Sequence, residues 1–510
     1  MPALVLDLDL VCDEEHMNDW TIMVYISADD VLANFAVESL KQLKRAAGDG
    51  IAVAAQFDAN NTRYVRRLAL RGTGRKDSSL ENKTTKVKSI RRPVNMTAPR
   101  TLTKFVDWAR MHYKAKHYCL ILWGHGYELL LDQDQGRKAS GRRYLTPANL
   151  REALTNTQLL KSKKKLDIIG LDACSMSLVE LASELQSCVD FMVASQEDVP
   201  DASFPYEHVL LSLRGRERDD RDDVEGISTA IPRLYKQAYQ DYLIAPGTGM
   251  KEITLSSLRL KGIPTVTDSI KGLAKALLDS ASDPRQRRAI LDARQATRDF
   301  SFGLFVDLFD FCEQLSRKRG LSHELKSACT RVCKAINKGD CVIENQTGEE
   351  KGKRCHGLSI YFPYLTDGED ERGQKSLVTV RADFIDRLQL VKGGTNILQK
   401  GGTNILRKER AGKIGELEED FKLLDKFGET GWNKFIAHGW SFILAKELPK
   451  GELDLRYSAQ QAALNLLSLC EESIPRVRPR VTNKSMRLQL VSRSTKKSAR
   501  PPRKPESKAS

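Results

Sequence analysis

The chain has 510 residues, 41% of them hydrophobic, and a formal charge of +15, which supplies a large core and argues by length for two to four domain-sized units. The charge is concentrated at one end: from Pro475 onward twelve Lys or Arg face a single acid, Glu506, so the first 474 residues carry only about +4 and make no case for a nucleic-acid-binding body. Ten scattered cysteines without a Cys-x-x-Cys pair are no disulfide framework, and reduced thiols are expected.

Residues 1–18 read as an N-terminal extension. Their acidic character, with Asp7 and Asp9 breaking the apolar stretch, is not that of a secretory signal, and no run of about 18 apolar residues follows anywhere. A cytoplasmic location with no membrane partner is expected. Residues 20–27 form a predicted strand by their β-branched and aromatic content, and LANFAVESLKQLKRAA has helical spacing. Strands are predicted over 51–58 and 64–72, a helix over 101–113, and strands over 117–124 and 166–173. The stretch SLVELASELQ reads as a helix, 191–195 as a strand and 226–243 as a helix. Beyond residue 250 come ITLSSLRL, several helices including FVDLFDFCEQL, and the strand 358–363. Near-continuous apolar strands between amphipathic helices predict an α/β domain over 19–390, with a largely parallel central sheet covered on both faces. Residues 391–474 hold the tandem duplication KGGTNILQ, KGGTNILR, read as a tolerated loop insertion, and a C-terminal helical segment. Residues 475–510 lack the apolar content to order themselves and read as a basic disordered tail.

Two predicted strands end in reactive side chains. HYCLILWG delivers His125, followed by Gly126, and LDIIGLDA delivers Cys174. The carboxyl edge of a parallel sheet is where ligands and chemistry collect, so adjacent strands would bring the two into one crevice. A thiol of free pKa near about 8.5 becomes a useful nucleophile when a histidine and electropositive amides stabilise its anion. Cys174 is expected to open the helix CSMSLVEL, whose N-terminus would help. Gly126, without a side chain, lets its backbone N–H approach a substrate carbonyl, so the N–H groups of Gly126 and Cys174 are assigned to an oxyanion hole. Asp172, two residues before the thiol, is placed to bind a substrate guanidinium or ammonium. Cys329 and Cys333, one helical turn apart, have no further ligands in register for zinc. His356, His208 and His438 are read as structural.

WTIMVYISADD, ILWGHG, IIGLDACSMS, HGLSIYFP and ETGWNKF, in this order over about residues 20–436, resemble the clostripain family of cysteine peptidases, relatives of caspases, legumains and gingipains. The resemblance implies a caspase-like αβα sandwich, a Cys174–His125 dyad, and cleavage of protein substrates after Arg, with Lys second, selected by Asp172. The family's second acid after the next strand falls at Ala202, leaving Asp201 or Asp198 to serve. The resemblance also implies a zymogen cut between the two catalytic residues. Arg137, Lys138, Arg142 and Arg143 in GRKASGRR are the candidate sites, with KSKKK at 161–165 as a second place. No cofactor is required by the residues; calcium enters through the resemblance alone. Partners would include an upstream activating protease or an inhibitor, and an intracellular enzyme of this kind would need regulation, which fits a role in stress, defence or cell death.

Rival chemistries fail on spacing. A phosphatase needs Arg six residues after the cysteine, where Glu180 stands; an amidotransferase elbow needs glycines where Asp172 and Met176 stand; and no phosphate-binding Gly-x-x-x-x-Gly-Lys loop is present. The alternative of another class is a scaffold whose basic tail engages nucleic acid.

Overall fold

The computed structural model describes residues 17–28, 32–59, 64–70, 85–91, 94–127, 130–133, 143–240, 253–300, 305–337, 339–348, 354–362, 364, 367–369, 375–377, 427–440, 443, 446 and 447. In chain order the first half runs β1 (Asn18–Ala28), α1 (Ala33–Ala46), β2 (Ile51–Ala59), β3 (Tyr64–Leu70), β4 (Thr85–Arg91), α2 (Pro99–His112) and β5 (Ala115–Gly124). Three short strands follow, β6 (Gly126–Tyr127), β7 (Leu130–Gln133) and β8 (Arg143–Leu145), then α3 (Pro147–Thr155), α4 (Gln158–Lys161), β9 (Leu166–Asp172), α5 (Val179–Leu185) and β10 (Val189–Ala194). The second half runs α6 (Tyr206–Arg214), α7 (Val224–Gln240), β11 (Thr254–Arg259), α8 (Ile263–Ser280), α9 (Pro284–Ala296), β12 (Asp299–Phe300), β13 (Phe305–Asp307), α10 (Leu308–Ser316), α11 (His323–Asn337), β14 (Val342–Thr347) and β15 (Ser359–Tyr361).

The main sheet has nine strands in the order β14-β11-β10-β9-β5-β1-β2-β3-β4. Its centre, β10-β9-β5-β1-β2, is parallel, and both flanks turn antiparallel. The parallel centre is what continuous apolar runs predict. On β1, Trp20, Ile22, Val24 and Ile26 enter one core and Met23 and Tyr25 the other; on β5, Cys119, Ile121 and Trp123 enter the first and Leu120 and Leu122 the second. Side chains alternate across a strand, so a run apolar at every position must be covered twice. One core lies under α1, α6 and α7, the other under α2, α3, α5 and α8–α11.

A second sheet of three strands, β12-β13-β15, lies beside the second core. The segment 427–440 packs into that core. Trp432 donates its indole N–H to the Tyr361 carbonyl at 2.7 Å, and Trp440 and Phe435 stand 4.7 and 5.6 Å from the Phe362 ring. The late ETGWNKF motif thus closes the same core as the central strands.

Strand β3 falls where the sequence predicts one, over 64–72, whereas its partner β4 and the short sheet β6-β7-β8 have no clean period in the sequence. The KGGTNIL duplication, the basic tail and processing candidates Arg137, Lys138 and Arg142 lie outside the described residues; Arg143 opens β8. The second processing candidate is part of a folded turn: Lys164 donates to the Lys116 carbonyl and Lys165 to the Gln186 carbonyl at 3.0 Å.

Candidate active site

Strands β5 and β9 are hydrogen-bonded neighbours, with Trp123 opposite Asp172. His125 and Cys174 each lie two residues beyond that pair, so both leave the sheet at the same carboxyl edge from adjacent strands, about 5 Å apart in the hydrogen-bonding direction. Gly126 completes the approach. A β-carbon there would stand 2.2 Å from the Cys174 carbonyl oxygen and 2.5 Å from its nitrogen. The segment that carries the imidazole is laid directly on the peptide that carries the thiol, and glycine is required at 126 by this contact, whatever role its N–H has toward substrate.

Cys174 does not open a helix. It sits on a turn, and α5 begins only at Val179. The chain needs those residues to reverse: Ser175 takes a left-handed conformation at φ 56°, held by its N–H donating to the Glu197 carbonyl at 3.0 Å. The helix-dipole support expected for the thiolate is therefore absent. The segment after β10 forms the wall instead. The Val199 N–H donates to Sγ at 3.4 Å, and the Val199 carbonyl lies 3.9 Å from it as an acceptor for the S–H. Burial pushes the thiol up to about 12, and the Asp198 carboxylate beside it adds to the rise, against the Val199 N–H. In this arrangement the thiol is protonated.

Asp172 is buried. Its Oδ2 accepts from the Ser203 hydroxyl, the Phe204 N–H at 3.2 Å and the Tyr206 hydroxyl at 2.5 Å. Burial raises its pKa to about 6 in spite of these three donors, so the carboxylate is charged at neutral pH. Asp172 thereby also fastens the turn 203–206, where Ser203 is left-handed at φ 71°. Ser203 accepts from the Trp123 indole N–H at 2.6 Å as well, tying both central strands to that turn. Asp198 and Asp201 lie on the exposed loop between β10 and this turn, and of the two only Asp198 acts on the thiol.

The other candidates fall away from this edge. His356 pairs through Nδ1 with the buried Asp307 at 3.0 Å, and His208 is exposed on α6. The side chain of His438 lies outside those described. Cys329 and Cys333 lie against Cys312. Among the described residues no group of three or more His, Cys, Asp or Glu is arranged to hold a metal ion, and no helix is long and apolar enough to cross a membrane. Sequence reasoning missed His117, at the opposite end of β5, which stacks on Trp20 at 4.9 Å between Asp167 at 2.8 Å and Asp222 at 3.2 Å.

Comparison with known families matches residues 24–438 to the clostripain family. The chain belongs to that family. Clostripain of Hathewaya histolytica is 24% identical over 315 residues, 53% of this clostripain-family chain and 57% of that protein, so the chain spans little more than half the length of the curated relative it matches. Among solved structures, an inactive zymogen C11 protease from Parabacteroides distasonis is 19% identical, with a TM-score of 0.48 over 73% of this chain and 96% of that one. A secreted C11 cysteine protease from Bacteroides thetaiotaomicron, in complex with an irreversible peptide inhibitor, is 17% identical, with a TM-score of 0.49 over 70% and 95%.

Proposed function

We propose that this chain is a cysteine endopeptidase that cleaves proteins after Arg, with Lys second. The observation that carries the reading is the register of β5 against β9, which sets His125 and Cys174 at one sheet edge. Cys174 Sγ gives its proton to His125 and attacks the scissile carbonyl carbon. The N–H groups of Gly126 and Cys174 receive the oxyanion, each such donor contributing about 2.7–4 kcal/mol when tested by removal. Collapse breaks the C–N bond, the departing amine takes the proton from His125, and water hydrolyses the thioester with His125 as base. The charge of Asp172, with Asp198 or Asp201 at the loop, selects a cationic side chain before the bond.

A thiol held near 12 is a poor nucleophile at neutral pH, which fits a chain that is made inactive. Activation would follow from a cut within 137–143, between His125 and Cys174 in the sequence. A regulated role inside the cell, in stress, defence or cell death, accords with that control. Peptides with Arg, Lys or Ala before the bond test the reading. Cys174→Ala and His125→Ala are each expected to lower kcat/KM for the Arg peptide by about 10⁴-fold or more, and Cys188→Ala to leave it within a few fold. An Ala peptide cut as fast as its Arg counterpart would overturn the specificity. Intact-mass measurement reads the activation: two fragments divided within 137–143 in wild type but not in Cys174→Ala are expected, and an active, uncut chain would refute the zymogen.

A further inference from the structure

The wall behind the thiol, residues 195–199, leaves β10 at Ala194 as irregular backbone, yet it must hold Val199 against Sγ and Glu197 against Ser175. One buried side chain anchors it. Gln196 is 1% exposed, and its amide is bonded on both sides: Nε2 donates to Asp307 Oδ2 at 3.1 Å and to Ser359 Oγ at 2.8 Å, while Oε1 accepts from the Gly357 N–H at 2.8 Å. The acceptor Asp307 is itself fully buried. It receives the His356 N–H at 2.5 Å and its ring nitrogen at 3.0 Å, and it caps α10 by accepting from the Asp310 N–H at 2.8 Å.

The residues that hold Gln196 also hold the other side of the nucleophile turn. Ser177 donates its hydroxyl to the Gly357 carbonyl at 2.6 Å and its N–H to the Ser195 carbonyl at 2.8 Å, and its carbonyl accepts from the Ser359 N–H at 2.8 Å. Segment 357–359 is therefore the common reference for both the turn that carries Cys174 and the wall that faces it. Gln196 is the only side chain of the wall that reaches this reference among the bonds described.

Resting on the peptidase reading, we propose that Gln196 is the positioning residue of Cys174: it does not touch Sγ but fixes the wall whose amide does. The fold has a separate hold on this segment, because Thr254 Oγ1 accepts from the N–H groups of both Gln196 and Glu197 at 3.0 Å. Loss of the Gln196 amide therefore leaves the segment in place and loosens its aim, and misplacement on the order of 1 Å at a reacting group costs about 100-fold.

The experiment compares Gln196→Ala and Gln196→Glu with wild type and with Ser228→Ala, a buried hydroxyl bonded to Ser257 away from the site. Three readings are taken: peptide hydrolysis, alkylation of Cys174 by iodoacetamide across pH, and thermal stability. Gln196→Ala is expected to lower kcat about 10- to 100-fold with KM within about twofold, and to slow alkylation at pH 8 several fold. Gln196→Glu keeps the volume, and in its protonated form can donate to Asp307 and accept from Gly357. Its kcat relative to wild type should therefore climb as pH falls. A flat ratio for Gln196→Glu across pH, or Cys174 alkylated at wild-type rates in both variants, would overturn the proposal, as would an equal kcat loss in Ser228→Ala at matched stability. A wild-type protein that still cleaves no peptide after a cut within 137–143 would bring down the peptidase reading instead, and the alkylation arm would still decide the role of Gln196.

Discussion

Asp172 fastens the fold with one carboxylate oxygen, and on the proposed reading the other would meet the substrate. All three of its donors, Ser203, Phe204 N–H and Tyr206, converge on Oδ2, which leaves recognition of a cation to Oδ1. If Asp172 selects Arg as proposed, its pKa of about 6 gives the selectivity a pH dependence: as pH falls through 6 the group gains a proton and loses the charge that would attract Arg. The ratio of kcat/KM for Arg over Ala peptides should fall about tenfold between pH 7 and pH 5, and in Asp172→Asn it should be low and flat. A ratio independent of pH in wild type would assign the selection to the exposed Asp198 or Asp201. Glu180 is a second buried carboxyl, on α5 directly after the nucleophile turn. The Tyr361 N–H donates to its Oε1 at 2.8 Å, while Oε2 has no partner among the described residues, and burial raises its pKa to about 7. The folded state binds this proton more tightly than the unfolded chain does, so stability declines as pH rises from about 4.5 to about 7. Glu180→Gln should remove that decline and stabilise the protein at pH 8 by about 1–3 kcal/mol, read from denaturant unfolding at pH 5 and pH 8.

At the scale of elements, the contact between β6 and the nucleophile turn is the tightest constraint in the site. Gly126→Ala should displace one segment from the other, costing about 1–3 kcal/mol and about 100-fold in kcat. Gly215→Ala, where the added carbon meets nothing closer than 3.4 Å, should do neither. Melting temperature and hydrolysis measured on both variants separate the cases. The pair His125 and Cys174 was legible in the sequence because two apolar strands end at them, and strand ends are where periodicity is most readable. The parallel centre of the sheet was legible for the same reason. The turn was not. Helical spacing in SMSLVEL extends back to Cys174, yet the Ser175 and Ser177 N–H groups bond to the wall carbonyls of Glu197 and Ser195, and those long-range bonds delay the helix to Val179. Gln196, Asp307 and Ser359 were equally hidden, since each is a lone polar residue whose role exists only once three distant segments meet. The donors on Asp172 come from 31 to 34 residues away, beyond the reach of any local pattern.

At the scale of the whole molecule, two of the described histidines share the sign of the Glu180 effect. His117 has its pKa raised chiefly by the hydrogen bond to Asp167, with Asp222 helping. For His356, burial acts downward and the bond and charge of Asp307 more than offset it, so it too is raised. Each contributes stability that is complete below the ordinary histidine range and is lost as pH rises through the raised value. The melting temperature should therefore fall from about pH 5 to about pH 8, and His117→Gln should shrink that fall; a midpoint that rises over this range would contradict the assignment. Deleting residues 475–510 carries away most of the net charge and should leave kcat/KM within about twofold, because every group described at the site lies before it.

The adjacency of β5 and β9 sets the fate of a nicked chain. A break between residues 137 and 143 would leave β1–β5 on one polypeptide and β9–β15 on the other. The seam joining them is the ladder pairing Cys119–Trp123 with Ile168–Asp172 in the middle of the sheet, where neither piece can cover its apolar strand alone. The two polypeptides would then be obligate complements, migrating as two bands in detergent and as a single particle in native buffer. Each would own one member of the proposed pair, His125 on one and Cys174 on the other, so on that reading neither half could act after dissociation.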